Sequence, residues 1–224
     1  MITNLLDITK PDQVSIISLD DVLPMIKEDI DIQQQCASIR RLNSQYQKTG
    51  DKSIRDEKER LKTKLPAFIP AGEFSRRDNK SLTRYHGRIV IDIDKFSNPE
   101  KLHAKLSTFK EPSVILAFIS PSGNGLKVIH KLELPELSSI EDAVDFHKQA
   151  FNTLVSYYQK KYQVTQIDKS GSDISRLCYY SHDPYVYYNP DAVGWKFNYS
   201  RKNNTTKPLL SSRIEGYYTR FMND

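Results

Sequence analysis

The 224-residue chain is poor in cysteine: Cys36 and Cys178 are the only two. Two thiols so far apart make neither a disulfide framework nor a zinc-ligand spacing, so both are read as reduced thiols of a cytoplasmic protein. No apolar run is long enough to cross a bilayer, and the N-terminus lacks the basic-then-apolar pattern of a signal peptide, so no membrane partner is expected. Internal repeats and low-complexity segments are also missing. Acidic residues are outnumbered, with 28 Asp and Glu against 33 Lys and Arg, and the pI is about 9.0. That balance favours a polyanionic partner such as nucleic acid, without singling one out. The hydrophobic content of 38% is that of an ordinary globular protein, and the length suffices for one sizeable domain or a core with a small appendage.

Three stretches carry the basic-region and N-terminal pattern. Residues 14–19 (VSIISL) read as a short strand, followed by a helix over 22–27 capped by Asp20 or Asp21. A second helix is expected over 32–43, with Ile32, Cys36 and Ile39 on one face, then a polar loop over 45–54 and a third helix over 55–64 ended by Pro66. Arg40, Arg41, Lys48, Lys52, Arg55, Lys58, Arg60, Lys62 and Lys64 crowd this region, which is read equally well as a solvated helical face or as a surface for nucleic acid.

The texture then changes. Residues 88–94 (RIVIDID) are rich in β-branched residues and read as a strand; 113–119 (SVILAFI) is apolar enough for a central strand; 126–134 is a third. Helices are expected over 99–106 and, most clearly, over 141–162, where Val144, Phe151, Leu154, Val155 and Tyr158 form an apolar stripe. Short strands are expected over 164–168 and 177–180. The division expected is an N-terminal α/β unit over 1–80, a core over 81–202, and a linker with the possible start of a C-terminal helix over 203–224, whose abrupt end points to a longer natural chain.

Three constellations carry chemistry. Asp92 and Asp94 lie two apart on a strand, so their carboxylates share a face while Ile89, Ile91 and Ile93 face a core. Paired carboxylates repel unless a cation lies between them, and hard oxygen ligands suit Mg²⁺ or Mn²⁺; the plain alternative is a strand end with two solvated acids. Ser120-Pro-Ser122-Gly123-Asn-Gly125-Leu-Lys127 is a turn whose glycines and serines could approach phosphate oxygens and whose lysine adds charge. It lacks the Walker A spacing, and the plain alternative is an Asn-Gly hairpin. Asp168 ends a short strand and is followed by Ser175 and Arg176, a residue suited to a triphosphate; alternatively Asp168 caps a turn and Arg176 pairs with Asp173. Taken singly each alternative is favoured. Taken in order, three acids, a Gly-Ser-Lys turn and an arginine make a nucleotidyl-transfer set, with Asp92, Asp94 and Asp168 as catalytic and metal-ligating residues.

The order Ile-Asp-Ile-Asp, Ser-Pro-Ser-Gly-x-Gly-Leu-Lys, Ile-Asp-Lys-Ser, Ser-Arg-Leu-Cys and Ser-His-Asp-Pro resembles the archaeo-eukaryotic primase (PrimPol) superfamily, and more narrowly the VirE N-terminal-like primase domain of mobile elements and phages. Residues 65–74 (LPAFIPAGEF) also look like that family, and the likeness spans about residues 14–190. It implies an α+β fold: an RRM-like antiparallel or mixed sheet with packed helices and an N-terminal α/β unit. It implies template-directed synthesis from nucleoside triphosphates on single-stranded DNA with Mg²⁺ or Mn²⁺, and a helicase or C-terminal domain as possible partner. Asp92 and Asp94 match its first acidic motif and Asp168 its third. Lys127 stands where most members carry a nucleotide-contacting histidine, and His130 lies on the opposite strand face. That departure keeps open a catalytically weak primase-like module that binds single-stranded nucleic acid or nucleotide. A metal-dependent nuclease or nicking replication initiator ranks last, because none of the five histidines forms the His-x-His pair that a nicking initiator of the two-histidine type needs.

Overall fold

The protein is described by a computed structural model covering residues 1–95, 101, 103 and 111–201. The helix expected over 99–106 falls almost wholly outside the described residues, as does the segment 203–224. No helix among the described residues is long and apolar enough to cross a membrane.

The fold is mixed α+β with antiparallel sheets. Strands β1 (Ile2–Leu5), β2 (Ser15–Ile17), β3 (Ala67–Ile69) and β9 (Cys178–Tyr179) form one sheet in the order β2-β1-β3-β9. Its strands thus come from both sides of residue 80. A small ribbon pairs β4 (Gly72–Phe74) with β5 (Leu82–Tyr85). The central sheet has the order β10-β7-β8-β6, built from β6 (Arg88–Ile93), β7 (Val114–Ile119), β8 (Leu126–Lys131) and β10 (Tyr187–Tyr188).

Helix α1 (Val22–Lys27), α2 (Ile30–Thr49) and α3 (Lys52–Lys62) precede β3. The polar stretch 45–54, expected as a loop, is instead the end of α2, a two-residue corner and the start of α3. Gly50 closes α2 in the left-handed region at φ 67, and the Asp51 carboxylate accepts from Ser53 N to open α3. A glycine C-cap followed at once by an aspartate N-cap needs no longer connection. Polarity of the stretch reflected exposure, not irregular backbone.

Helix α4 (Ile140–Tyr162) is opened by Ser139, whose hydroxyl accepts from Asp142 N. Its buried stripe is Ala143, Phe146, His147, Ala150, Phe151, Leu154 and Tyr158, a helical repeat that includes a histidine; Val144 and Val155, expected on the stripe, are its partly exposed margins. The 164–168 stretch forms no strand of its own; it contributes one antiparallel bridge, Ile167 opposite Ile93.

Alternation along the central strands sorts their residues onto two faces. Ile89, Ile91, Ile93, Val128 and Leu126 cluster with Phe146, Phe151, Leu154 and Tyr158 of α4. Val90, Ile129 and Phe118 point the other way and cluster with Ile26 of α1 and Cys36 and Ile39 of α2. The sheet is therefore covered by α4 on one face and by α1–α2 on the other, and any side chain in phase with Val90 or Ile129 faces α2.

Candidate active site

Asp92 is in phase with Val90, and Lys127 with Ile129, so both extend toward the α2 side, where the apolar packing ends. They are direct cross-strand partners in the β6–β8 register. Asp92 is 8% exposed and Lys127 4%. The Lys127 ammonium donates to Asp92 Oδ2 in a buried ion pair. Burial alone would depress the lysine, but Asp92, with a smaller contribution from Asp94, holds it above its ordinary value. The other carboxylate oxygen, Asp92 Oδ1, is buried with no hydrogen-bond partner among the described residues.

The third acid arrives from the far edge of β6. Asp168 N donates to Asp92 O at 2.8 Å and Asp94 N to Gln166 O at 2.8 Å, the two bonds that flank the Ile93–Ile167 bridge. In such a ladder opposed residues share a face, so Asp168 stands beside Asp92 and on its side of the sheet. Asp94 occupies the lip, after which the chain turns through Lys95 at φ 51. Its carboxyl is raised, first by burial and then by the negative charges of Asp92 and, more weakly, Asp168; Lys127 and Lys62 partly offset this. Asp94 thus senses the charge of both other acids.

Asp168 has partners of its own. Oδ1 accepts from Ser170 N at 2.9 Å, and Arg176 Nη2 donates to Oδ2 at 2.7 Å. Burial pushes this carboxyl up, but the Ser170 hydrogen bonds and the Arg176 charge outweigh it and hold it below the usual aspartate value. Asp168 does cap a turn, the short one over Lys169–Ser172, yet it is also the anchor of Arg176. The alternative pairing of Arg176 with Asp173 is not formed: Asp173 instead accepts from Ser175 N and Ser175 Oγ. The Ser175 hydroxyl is thereby turned onto its own turn rather than toward the acids.

The turn joining β7 to β8 sits at the same end of the sheet. Ser120 N donates to Gly125 O and Gly123 N to Ser120 O, both at 2.9 Å, with Gly123 at φ +76. A Cβ on Gly125 would lie 2.5 Å from Ile93 O, so only glycine lets the turn close against the end of β6. Ser120, Gly125 and Lys127 are buried, and only Ser122, Gly123 and Asn124 keep partial exposure. Of the candidate phosphate-binding residues, the structure therefore leaves the middle of the turn accessible and commits Lys127 to Asp92.

The α2–α3 hairpin contributes residues that the motifs did not point to. Asn43, 6% exposed, donates from Nδ2 to Ser122 O at 3.1 Å, and Lys58 Nζ reaches Asn43 Oδ1 at 3.3 Å. Lys58 lies over the Tyr46 ring and Lys62 over the Tyr179 ring. A signal existed: Asn43 continues the Ile32–Cys36–Ile39 spacing, so a polar residue stands where the stripe calls for an apolar one.

As the side chains stand, no group of three or more His, Cys, Asp or Glu among the described residues is arranged to hold a metal ion. Asp92 and Asp168 are turned instead to Lys127 and Arg176. The donor chemistry nevertheless fits a hard divalent cation: three carboxylates against two cationic side chains, a raised Asp94, and a buried carboxylate oxygen with no donor.

A family model described as BT4734-like, N-terminal domain, matches residues 60–188, a stretch that includes all three acids, the 120–127 turn and Arg176. No curated protein and no solved structure matches the chain.

Proposed function

The chain belongs to the BT4734-like N-terminal domain family, and within it we propose that this member is a primase-polymerase that joins nucleotides on a single-stranded DNA template, in the replication of a mobile element or phage. The observation that carries the reading is the backbone pairing of residues 166–168 with 92–94, which brings acids from distant parts of the sequence to one end of one sheet face. On this reading the central sheet backed by α4 is an RRM-like catalytic core, and a helicase or a further domain is the natural partner.

Asp92, Asp94 and Asp168 would hold Mg²⁺ or Mn²⁺, which supplies activation of a 3′-hydroxyl and charge neutralisation for the triphosphate and departing pyrophosphate. Asp94, with its raised carboxyl at the exposed lip, meets substrate first. Arg176 fixes the Asp168 carboxylate and has further guanidinium donors for phosphate oxygens. Ser122, Gly123 and Asn124 offer the accessible part of the turn to the polyphosphate. The 3′-hydroxyl oxygen, giving up its proton to solvent water, attacks the α-phosphorus; the bond from that phosphorus to the α–β bridging oxygen breaks, and pyrophosphate leaves.

Lys127 favours a second reading. An ammonium already neutralises Asp92, and lysine cannot reproduce the hydrogen bonding of an imidazole. A module that grips single-stranded nucleic acid or nucleotide without synthesis would need no more than this. Labelled-nucleotide incorporation on a primed and an unprimed template separates the two. The synthetic reading expects Mg²⁺- or Mn²⁺-dependent product from the wild type and none from an Asp92→Ala, Asp94→Ala double variant. Equal product from both proteins, or none from either alongside salt-sensitive binding, removes it.

A further inference from the structure

Arg40 is a cation packed on the 120–125 turn whose chemistry remains open. It comes from α2, outside the 60–188 stretch, and no carboxylate of the described residues lies within ion-pair distance of it. Its Nη2 donates to the His182 carbonyl at 2.7 Å and reaches Ser181 Oγ at 3.5 Å. Its Nε is buried with no hydrogen-bond partner among the described residues, and so is Nδ1 of His182. A guanidinium is charged at every physiological pH, and a buried charged donor without an acceptor is unfavourable unless something else brings one.

The surroundings say where that acceptor would sit. The Arg40 stem lies along the 120–125 turn, where a Cβ on Gly123 would stand 3.2 Å from Arg40 Cγ and 3.4 Å from Nε. Gly123, in the left-handed region, lets the side chain lie flush with the turn, so Nε faces it. Asn43 holds the same turn through the Ser122 carbonyl. Lys58 reaches Asn43, and Lys62 lies over the Tyr179 ring. The wall thus carries Lys58, which also pairs with Glu59, together with Lys62 and Arg40, and Arg40 Nε is a buried donor there with no acceptor among the described residues.

We propose that Arg40 and the Ser122–Gly123–Asn124 turn together seat a terminal phosphate of an incoming triphosphate. The inference rests on reading the cleft as a nucleotide site, and it adds a phosphate-binding residue from the N-terminal helical hairpin. Guanidinium geometry matches phosphate oxygens through two parallel N–H donors, one of which is Nε, a donor that lysine lacks.

The test is calorimetric titration of the full chain with inorganic tripolyphosphate in EDTA, and in parallel with a single-stranded oligonucleotide that has no 5′-phosphate. Arg40→Lys keeps the charge and removes Nε. It is expected to weaken tripolyphosphate about tenfold and to leave the oligonucleotide unchanged. Gly123→Ala, which pushes a methyl group against the Arg40 stem, is expected to weaken the same ligand, and a cooperative thermal transition shows that each variant is folded. Tripolyphosphate binding that is unaltered in Arg40→Lys, undetectable in the wild type, or altered only for the oligonucleotide overturns the proposal. Synthesis assays on the same proteins keep the two ideas apart. A wild type that makes no product yet loses tripolyphosphate in Arg40→Lys retires the polymerase and keeps the seat. A polymerase indifferent to Arg40→Lys in both assays does the reverse.

Discussion

Replacing Lys127 by methionine removes the ammonium beside Asp92 while keeping most of the side-chain volume. Asp92 would then be a carboxylate 8% exposed, with one oxygen unpartnered from the start and the other newly so. Breaking a buried pair from one side costs about 3–5 kcal/mol, because the remaining charge stays desolvated. Against a total stability of about 5–15 kcal/mol for a domain, that is a large fraction. Removing both charges, as Asp92→Asn with Lys127→Met, leaves no buried ion and should restore most of the loss, giving a coupling of at least about 2 kcal/mol. Urea unfolding of wild type, both single variants and the double variant closes the cycle. Because the vacated position is lined by carboxylates, Mg²⁺ should raise the midpoint of Lys127→Met more than that of wild type. A single variant that loses less than about 1 kcal/mol, or a double variant no more stable than Lys127→Met, would refute the claim that this pair neutralises the floor of the site.

Other expectations follow from the core and the turn. His130 and His147 are buried, and burial pushes each imidazole down to about 4. His130 lies between the Ser113 and Tyr158 hydroxyls, and His147 between the Tyr85 hydroxyl and the Gly171 carbonyl. Each folded value is below the unfolded value near 6.5, so their contribution is complete above pH 6.5 and is lost as pH falls from there toward 4. At full extent this is about 3 kcal/mol per histidine, read by urea midpoints at pH 7, 5.5 and 4.5; a His147→Asn variant should show a shallower slope. Tyr158→Phe strips the hydroxyl from His130 Nε2 and should cost about 1–3 kcal/mol by thermal unfolding. Gly125→Ala places a methyl 2.5 Å from Ile93 O, so the turn must move, at a cost of about 1–3 kcal/mol and with weakened triphosphate binding in a titration.

Much of the central sheet was legible because its residues obey one local rule. The Ile89–Ile91–Ile93 alternation put Asp92 and Asp94 on the other face, and the structure has that alternation in β6, with the isoleucines under α4 and Asp94 just past the strand end. Strands β1, β3, β4, β5 and β10 were missed. They are two to four residues long, and non-local pairing, such as Leu5 with Ala67, decides their state more than any local pattern does. The α2–α3 corner misled because helix formers on a solvated surface look like a loop when polarity is weighed above capping. At the site, the face of Asp92 could be read from spacing, whereas the Lys127–Asp92 pair depends on the β6–β8 register and the Arg176–Asp168 pair on a turn. Arg40 and Asn43 carried only a faint signal, the polar residue at the end of the α2 stripe.

The most direct measurement is anomalous diffraction from crystals grown with Mn²⁺ and a non-hydrolysable nucleoside triphosphate. The account predicts manganese peaks bonded at about 2.0–2.3 Å to oxygens of Asp92, Asp94 and Asp168, with the Lys127 ammonium drawn off Asp92 or shared with phosphate. A nucleotide bound in the cleft with no manganese at these carboxylates, and Lys127 still closed on Asp92, would contradict it.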